Sequence, residues 1–247
     1  MARDINVAGG QGVQIGNSNT QHNFFSTPTA YQPRAQGSAT APGDGAPLRV
    51  LVLGASPAGL PPVRADAEAR RIEDAVAADR VEVKYVAAAV ATDLEKVRDF
   101  RPHIVHFVCH GEEDQLAFND SLGEYDLVRA DGIAATLAYY REKRNIRLRA
   151  VVLAACDGEK LAPAFTAVAD TVIAHRGKLA DPCGMAFAGQ FYRLVSNAVA
   201  ALPSGQPPGE AGNIDLADTA AEAAVLTVAL SSACAPVRSN LIAAAGG

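Results

Sequence analysis

The reading turns on V-V-L-A-A-C-D-G, residues 151–158. It is an apolar run of strand length that stops abruptly at a thiol, an acid and a glycine. A matching run, H-I-V-H-F-V-C-H-G, covers residues 103–111 and ends in His-Gly. Continuous apolar runs of this length are what strands buried on both faces look like. Two such strands side by side in a parallel sheet would deliver Cys156 and His110 to the same end. A thiol beside an imidazole is an activated nucleophile, because the ring takes the thiol proton or stabilises the thiolate.

Working outward, strands and helices alternate. Leu48 to Leu53 reads as a strand broken by Gly54-Ala55-Ser56-Pro57, and Ala65 to Ala78 has helical spacing through Ala69, Ile72 and Val76. Val81 to Val86 alternates as a strand, Thr92 to Phe100 reads as a helix, and the 103–111 strand follows. Residues 111–131 are acidic and turn-rich, which predicts a surface loop or short hairpin. Beyond it come a helix over 132–144, the central strand 149–155, a helix over 160–169 and a strand at 171–174. Helices over 184–202 and 215–232 close the chain. This alternation predicts an α/β fold with a mostly parallel sheet covered on both faces. Functional groups in such sheets stand at the carboxyl ends of the strands.

Composition limits the function classes. The chain has 247 residues, 49% hydrophobic and 20% charged, with a net charge of −5. That balance gives no reason to expect nucleic acid or an anionic membrane as partner. Four cysteines, at 109, 156, 183 and 234, show no metal-binding spacing, and no metal or other cofactor is expected. Reduced thiols and a cytoplasmic location are the expectation, since the start lacks a signal-peptide core and Ala223 to Val237 is short of a membrane span.

The first 25 residues differ from the rest. In Q-G-V-Q-I-G-N-S-N-T-Q-H-N, Val13 and Ile15 alternate with Gln14 and Gly16, and Asn17, Asn19 and Gln21 keep the same period. Such a face suits in-register stacking with amide ladders, although a disordered polar tail has the same composition. Residues 26–47 are rich in Pro, Gly, Ala, Ser and Thr, a flexible linker. The predicted organisation is therefore a motif at 1–25, a linker at 26–47 and a globular body at 48–247.

Cys156 is singled out from the other cysteines by Gly158 and by the neighbouring His-Gly. Cys183 and Cys234 fall in helical stretches, and Cys109 points away from His110 if the strand alternates. A buried cysteine is otherwise a small apolar residue. Among the histidines, His103 and His106 lie inside a strand, His22 is in the tail, and His175 rivals His110 because it also ends a strand. Gly111 favours His110, since a glycine lets its N–H approach a ligand closely. With the Cys156 amide it would make a two-donor oxyanion hole. Asp157 and Asp181, with Glu112, Glu113 and Asp114, are candidate carboxylates for a basic substrate side chain.

A-A-C-D-G, with His-Gly 46 residues upstream, resembles the caspase nucleophile segment Q-A-C-x-G and its upstream histidine. The body, from about Arg49 to Ala229, resembles the CHAT family of caspase-like clan CD proteases more closely. The likeness rests on G-A-S-P, H-x-V-H-F-x-x-H-G, V-V-L-x-A-C, V-I-A-H-R-G and D-P-x-x-x-x-F-A-G-Q-F-Y, in that order. Cys109 stands where the family often has Gly, Ala154 where it has Asn, and Gly158 where it has Ser. The resemblance implies a caspase-like three-layer sandwich, Cys156 as nucleophile, His110 as base, and Gly111 with Cys156 as oxyanion donors. Val13-Gln14-Ile15-Gly16 resembles the core of RIP homotypic interaction motifs and related bacterial amyloid signalling motifs. That likeness implies self-assembly through residues 5–25, a sensor partner with a matching motif, and a role in bacterial immunity or regulated cell death. The expected substrate is a protein, with a pore-forming cell-death protein as one candidate. A CHAT-like scaffold without activity, and a flavodoxin-like ligand-binding module, are the alternatives the sequence leaves open.

Overall fold

A computed structural model describes residues 46–203, 205–210 and 213–246. The expected assembly motif at 1–25, with Val13–Gly16 at its core, and residues 26–45 of the expected linker lie outside the described residues. In chain order the elements are β1 (Leu48–Gly54), α1 (Ala65–Ala75), β2 (Val81–Val86), a 3-10 turn (Ala91–Leu94), α2 (Glu95–Phe100) and β3 (Ile104–Val108). Next come β4 (His110–Glu112), β5 (Gln115–Asn119), β6 (Tyr125–Arg129), α3 (Ala130–Arg144), β7 (Leu148–Ala154), α4 (Gly158–Phe165) and β8 (Ala169–His175). The chain continues through α5 (Asp181–Ala201), α6 (Leu216–Leu230), a 3-10 turn (Ser232–Cys234), α7 (Ala235–Asn240) and β9 (Leu241–Ala245).

Six strands form the main sheet in the order β2-β1-β3-β7-β8-β9. Every pairing is parallel except that of β8 with β9. Because side chains alternate across a sheet, each strand feeds two cores. Leu51, Leu53, Val105, Phe107, Val151 and Leu153 face one side and pack with residues of α2, α3 and α4. Val50, Val52, Ile104, Ala150 and Val152 face the other side and pack with α1, α5 and α6. This double burial is why the strands read as unbroken apolar runs. Each fully buried large side chain contributes roughly 1.5–3 kcal/mol. The three-layer α/β sandwich expected from the sequence is the fold observed. Among the described residues no helix is long and apolar enough to cross a membrane.

Three departures have physical reasons. The turn-rich acidic segment is a second, antiparallel sheet, β4-β5-β6, whose strand Gln115–Asn119 buries Leu116, Ala117 and Phe118. The acids sit in its turns and on its exposed edge: Glu113 takes φ 52° at the β4–β5 turn, and Asp114 pairs with Arg129 at 2.9 Å. Second, Leu241–Ala245 becomes a strand despite its alanines, because it covers the β8 edge, which otherwise leaves backbone groups unpaired. Third, Cys183 and Cys234 are not free thiols but a disulfide, with Cα atoms 5.3 Å apart. The bond ties the start of α5 to the turn before α7, a proximity that 51 residues of separation conceal. Cys109 and Cys156 are the free cysteines.

Candidate active site

The chain leaves β1 towards β2 through α1, on one face, and returns past β1 to β3 through α2, on the other. Such a reversal opens a crevice beyond the carboxyl ends of the strands. Strand register fixes what stands there. Val108 at the end of β3 is level with Ala154 at the end of β7, so His110 and Cys156 each lie two residues past a matched pair. Both line one small cleft of about 60 Å³. His110 is the one histidine on that lining.

Local backbone demands explain the glycines. A Cβ on Gly111 would collide with the Cys156 carbonyl oxygen and come within 3.2 Å of Leu161 Cδ1. Gly158, two residues past Cys156, is pressed against β8, where a Cβ would stand 2.8 Å from the His175 carbonyl oxygen. Between them Asp157 takes a left-handed conformation, φ 55°, and its N–H donates to the Gly177 carbonyl at 2.8 Å. Among the described residues the Cys156 N–H donates to no backbone carbonyl outside regular elements, which leaves it available to a ligand.

The imidazole is held from behind. His110 Nε2 lies 2.6 Å from the Pro61 carbonyl oxygen. A carbonyl only accepts, so Nε2 carries the proton and Nδ1 is left as the acceptor. Pro61 thus fixes the orientation of the His110 ring. Sequence reasoning missed it because a backbone carbonyl leaves no residue-type signal.

A second missed residue is Glu68. It is 4% exposed and lines the same cleft as Asp181. Its Oε1 is 3.1 Å from His106 Nε2, and His106 Nδ1 is 3.0 Å from the Tyr192 hydroxyl. Burial, and then the Glu68 charge, push the Tyr192 hydroxyl well above its ordinary pKa. The signal was present: Glu68 falls at the i+3 position of a helix face otherwise made of Ala65, Ala69 and Ile72. A carboxylate on an apolar face asks for an explanation. Asp181 stays on the cleft, its Oδ2 accepting from the Arg64 N–H at 3.3 Å. Asp157 is not on the lining and lies 3.7 Å from Lys160 Nζ.

His175 is placed elsewhere. It is 3% exposed, its ring meets Phe187 edge-on at 5.2 Å, and among the described residues neither ring nitrogen has a hydrogen-bond partner. Burial pushes its pKa down to about 4, and burial followed by Arg49 and Arg149 does the same for His103. In an unfolded chain both would titrate near 6.5. The unfolded state then binds the extra protons between pH 6.5 and 4, and stability falls as pH drops through that window. Urea unfolding between pH 7 and 4 is expected to show a loss on the order of 1 kcal/mol per pH unit for each histidine. His175→Leu is expected to flatten the decline, and an unchanged slope would remove His175 from the account.

The structure is thus a mostly parallel three-layer α/β sandwich with a cysteine and a histidine at adjacent strand ends. The chain belongs to the CHAT domain family, whose model matches residues 15–211. Among solved structures it is similar to a secreted C11 cysteine protease from Bacteroides thetaiotaomicron, determined in complex with an irreversible peptide inhibitor. The two are 12% identical, with a TM-score of 0.41; the match covers 66% of this chain and 56%, just over half, of that one. No curated protein matches.

Proposed function

We propose that this chain is a cysteine endopeptidase. The observation that carries the reading is the level placement of His110 and Cys156 on one cleft, with the imidazole held by Pro61. His110 Nδ1 takes the Cys156 proton, and the thiolate adds to the scissile carbonyl carbon. The N–H groups of Gly111 and Cys156 stabilise the resulting oxyanion. The imidazolium then protonates the leaving amine as the carbon–nitrogen bond breaks, and water, deprotonated by the same ring, hydrolyses the thioester.

Glu68 and Asp181 give the cleft a negative lining, which supports a cationic side chain at the position before the cut. Asp157, off the lining, contributes by holding the turn that follows the nucleophile. Residues 5–25 serve as an assembly motif that joins a sensor carrying a matching motif, concentrating tethered bodies to the millimolar range. In this reading the protein acts in bacterial defence or regulated cell death; the cytoplasmic location rests on the sequence reading alone, since the Cys183–Cys234 bond removes the reduced-thiol ground for it. Its substrate is a protein, with a pore-forming protein as one candidate.

Fluorogenic peptides with Arg, Lys, Leu or Asp before the cut test the reading on the full chain and on Ile15→Asp. Arg or Lys peptides are expected to be cleaved at least about tenfold faster than Leu or Asp ones, as one buried ion pair allows. Ile15→Asp is expected to lose the self-assembled fraction in sedimentation and the activity that accompanies it. Cleavage of none of the four would count against the peptidase, and an Ile15→Asp chain that assembles and cleaves normally would sink the role of the motif.

A further inference from the structure

At the opposite end of the main sheet, beneath the amino ends of β1, β3 and β7, lies a larger cavity of about 330 Å³. Arg49, Arg101 and Arg147 line it, with His103 between them. Pro102, Ile146 and Pro208 supply apolar wall, and Glu210 is the one carboxylate on the lining. The peptidase mechanism uses none of these residues.

The walls are built before any ligand arrives. The Arg101 guanidinium donates to the carbonyls of Arg144 and Asn145 at 3.1 and 3.2 Å, where Asn145 closes α3 in a left-handed conformation. Arg49 Nε donates to the Arg101 carbonyl at 2.9 Å, and the Arg49 N–H donates to His103 Nδ1 at 2.9 Å. Buried Arg149 donates to the carbonyls of Pro208 at 3.3 Å and Ile214 at 2.7 Å, and pairs with Asp170 at 3.3 Å. Arg149 therefore has its counter-charge. Arg49 has only Glu82, its register partner on β2, near it without a direct ion pair; among the described residues Arg101 and Arg147 form no ion pair, neither Nη of Arg49 donates a hydrogen bond, and Arg147 donates none from its side chain.

We infer that this cavity binds a small organic phosphate of about nucleotide size. Three arginines on one recess, Arg49 and Arg147 with guanidinium donors unused and Arg101 fixed beside them, match a phosphate group, for which the planar fork of arginine is well shaped. The proline and isoleucine walls suit the apolar part of such a molecule, and the volume is at the small end of ligand cavities, roughly 300–1,000 Å³. Ala46, where the body meets the linker, also lines it, so the ligand would sit at the root of the tether. The inference stands whether or not the chain is a peptidase.

Calorimetric titration of the full chain with ADP, pyrophosphate, adenosine and citrate at fixed salt tests it. ADP is expected to bind with a Kd below about 1 mM, and adenosine at least about tenfold more weakly, the loss of one charge-assisted contact. Arg49→Gln with Arg147→Gln is expected to weaken ADP at least about tenfold while the chain still unfolds cooperatively. Arg147→Gln alone, a side chain with no hydrogen bond to lose, gives the same direction if the pair disturbs folding. The proposal is overturned if neither ADP nor pyrophosphate binds, if citrate matches ADP, or if the arginine variants bind ADP as the native chain does.

Discussion

A thiol-selective electrophile is expected to modify the native protein at one of its four cysteines, Cys156, and Cys156→Ala is expected to leave it unlabelled. The other three cysteines are withheld for two reasons. Cys109 is 4% exposed, and burial pushes its pKa up to about 12, so it has almost no thiolate at neutral pH. Cys183 and Cys234 are joined to each other. Cys156 alone is free and partly exposed beside an imidazole. His110→Ala is expected to slow labelling, and to lower peptide cleavage by about 10²–10⁴-fold, the range for losing a positioned general base. Mass spectrometry of the labelled protein reads the first effect, before and after reduction, which should expose two further thiols. Equal labelling of all four cysteines, or full reactivity in His110→Ala, would end the peptidase reading and leave the scaffold alternative in front.

Gly111→Ala is the second large effect expected. The new methyl would have to displace the backbone carbonyl of Cys156, with Leu161 Cδ1 at 3.2 Å and Ala155 Cβ at 3.3 Å closing the ways round. Overpacking of this kind costs about 1–3 kcal/mol. The catalytic loss should be larger, since a displacement of about 1 Å at a reacting group can cost about 10²-fold. Gly132→Ala is the control. Its Cβ would meet nothing within 4 Å in α3, and replacing a helical glycine by alanine stabilises by about 1 kcal/mol. Urea unfolding and kcat/KM of both variants decide the matter: a Gly111→Ala enzyme of native activity would show that the two strand ends are less tightly joined than the structure has them.

Much of this arrangement was legible in the chain, for identifiable reasons. The runs at 103–111 and 151–158 announced buried strands because both faces of the main sheet are covered. Their abrupt polar ends marked Cys156 and His110, and parallel pairing made those ends coincide. What stayed hidden depends on partners rather than on residue type. The Pro61 carbonyl is available from any residue, and the Cys183–Cys234 bond needs the packing of α5 against the last turns. Leu241–Ala245 is a strand only because β8 offers it an edge. Residues 110–129 were read in part: a short hairpin was one expectation, but the acids and turns outweighed Leu116, Ala117 and Phe118, the few residues that anchor a full three-stranded sheet. Glu68 was readable from its helical position, but its meaning required the cleft.

One consequence of β3 and β7 lying side by side concerns synthesis. The ribosome releases His110 well before Cys156, and between them come the whole antiparallel sheet and α3. A nascent chain that has made β1, β2 and β3 can already order a parallel sheet, yet it carries an imidazole with no thiol beside it. Contacts of such long sequence separation form late and slowly. Cys156 and His110 are therefore brought together by the same docking event that completes the middle of the sheet, and on the peptidase reading an unfinished chain would carry no activated thiol.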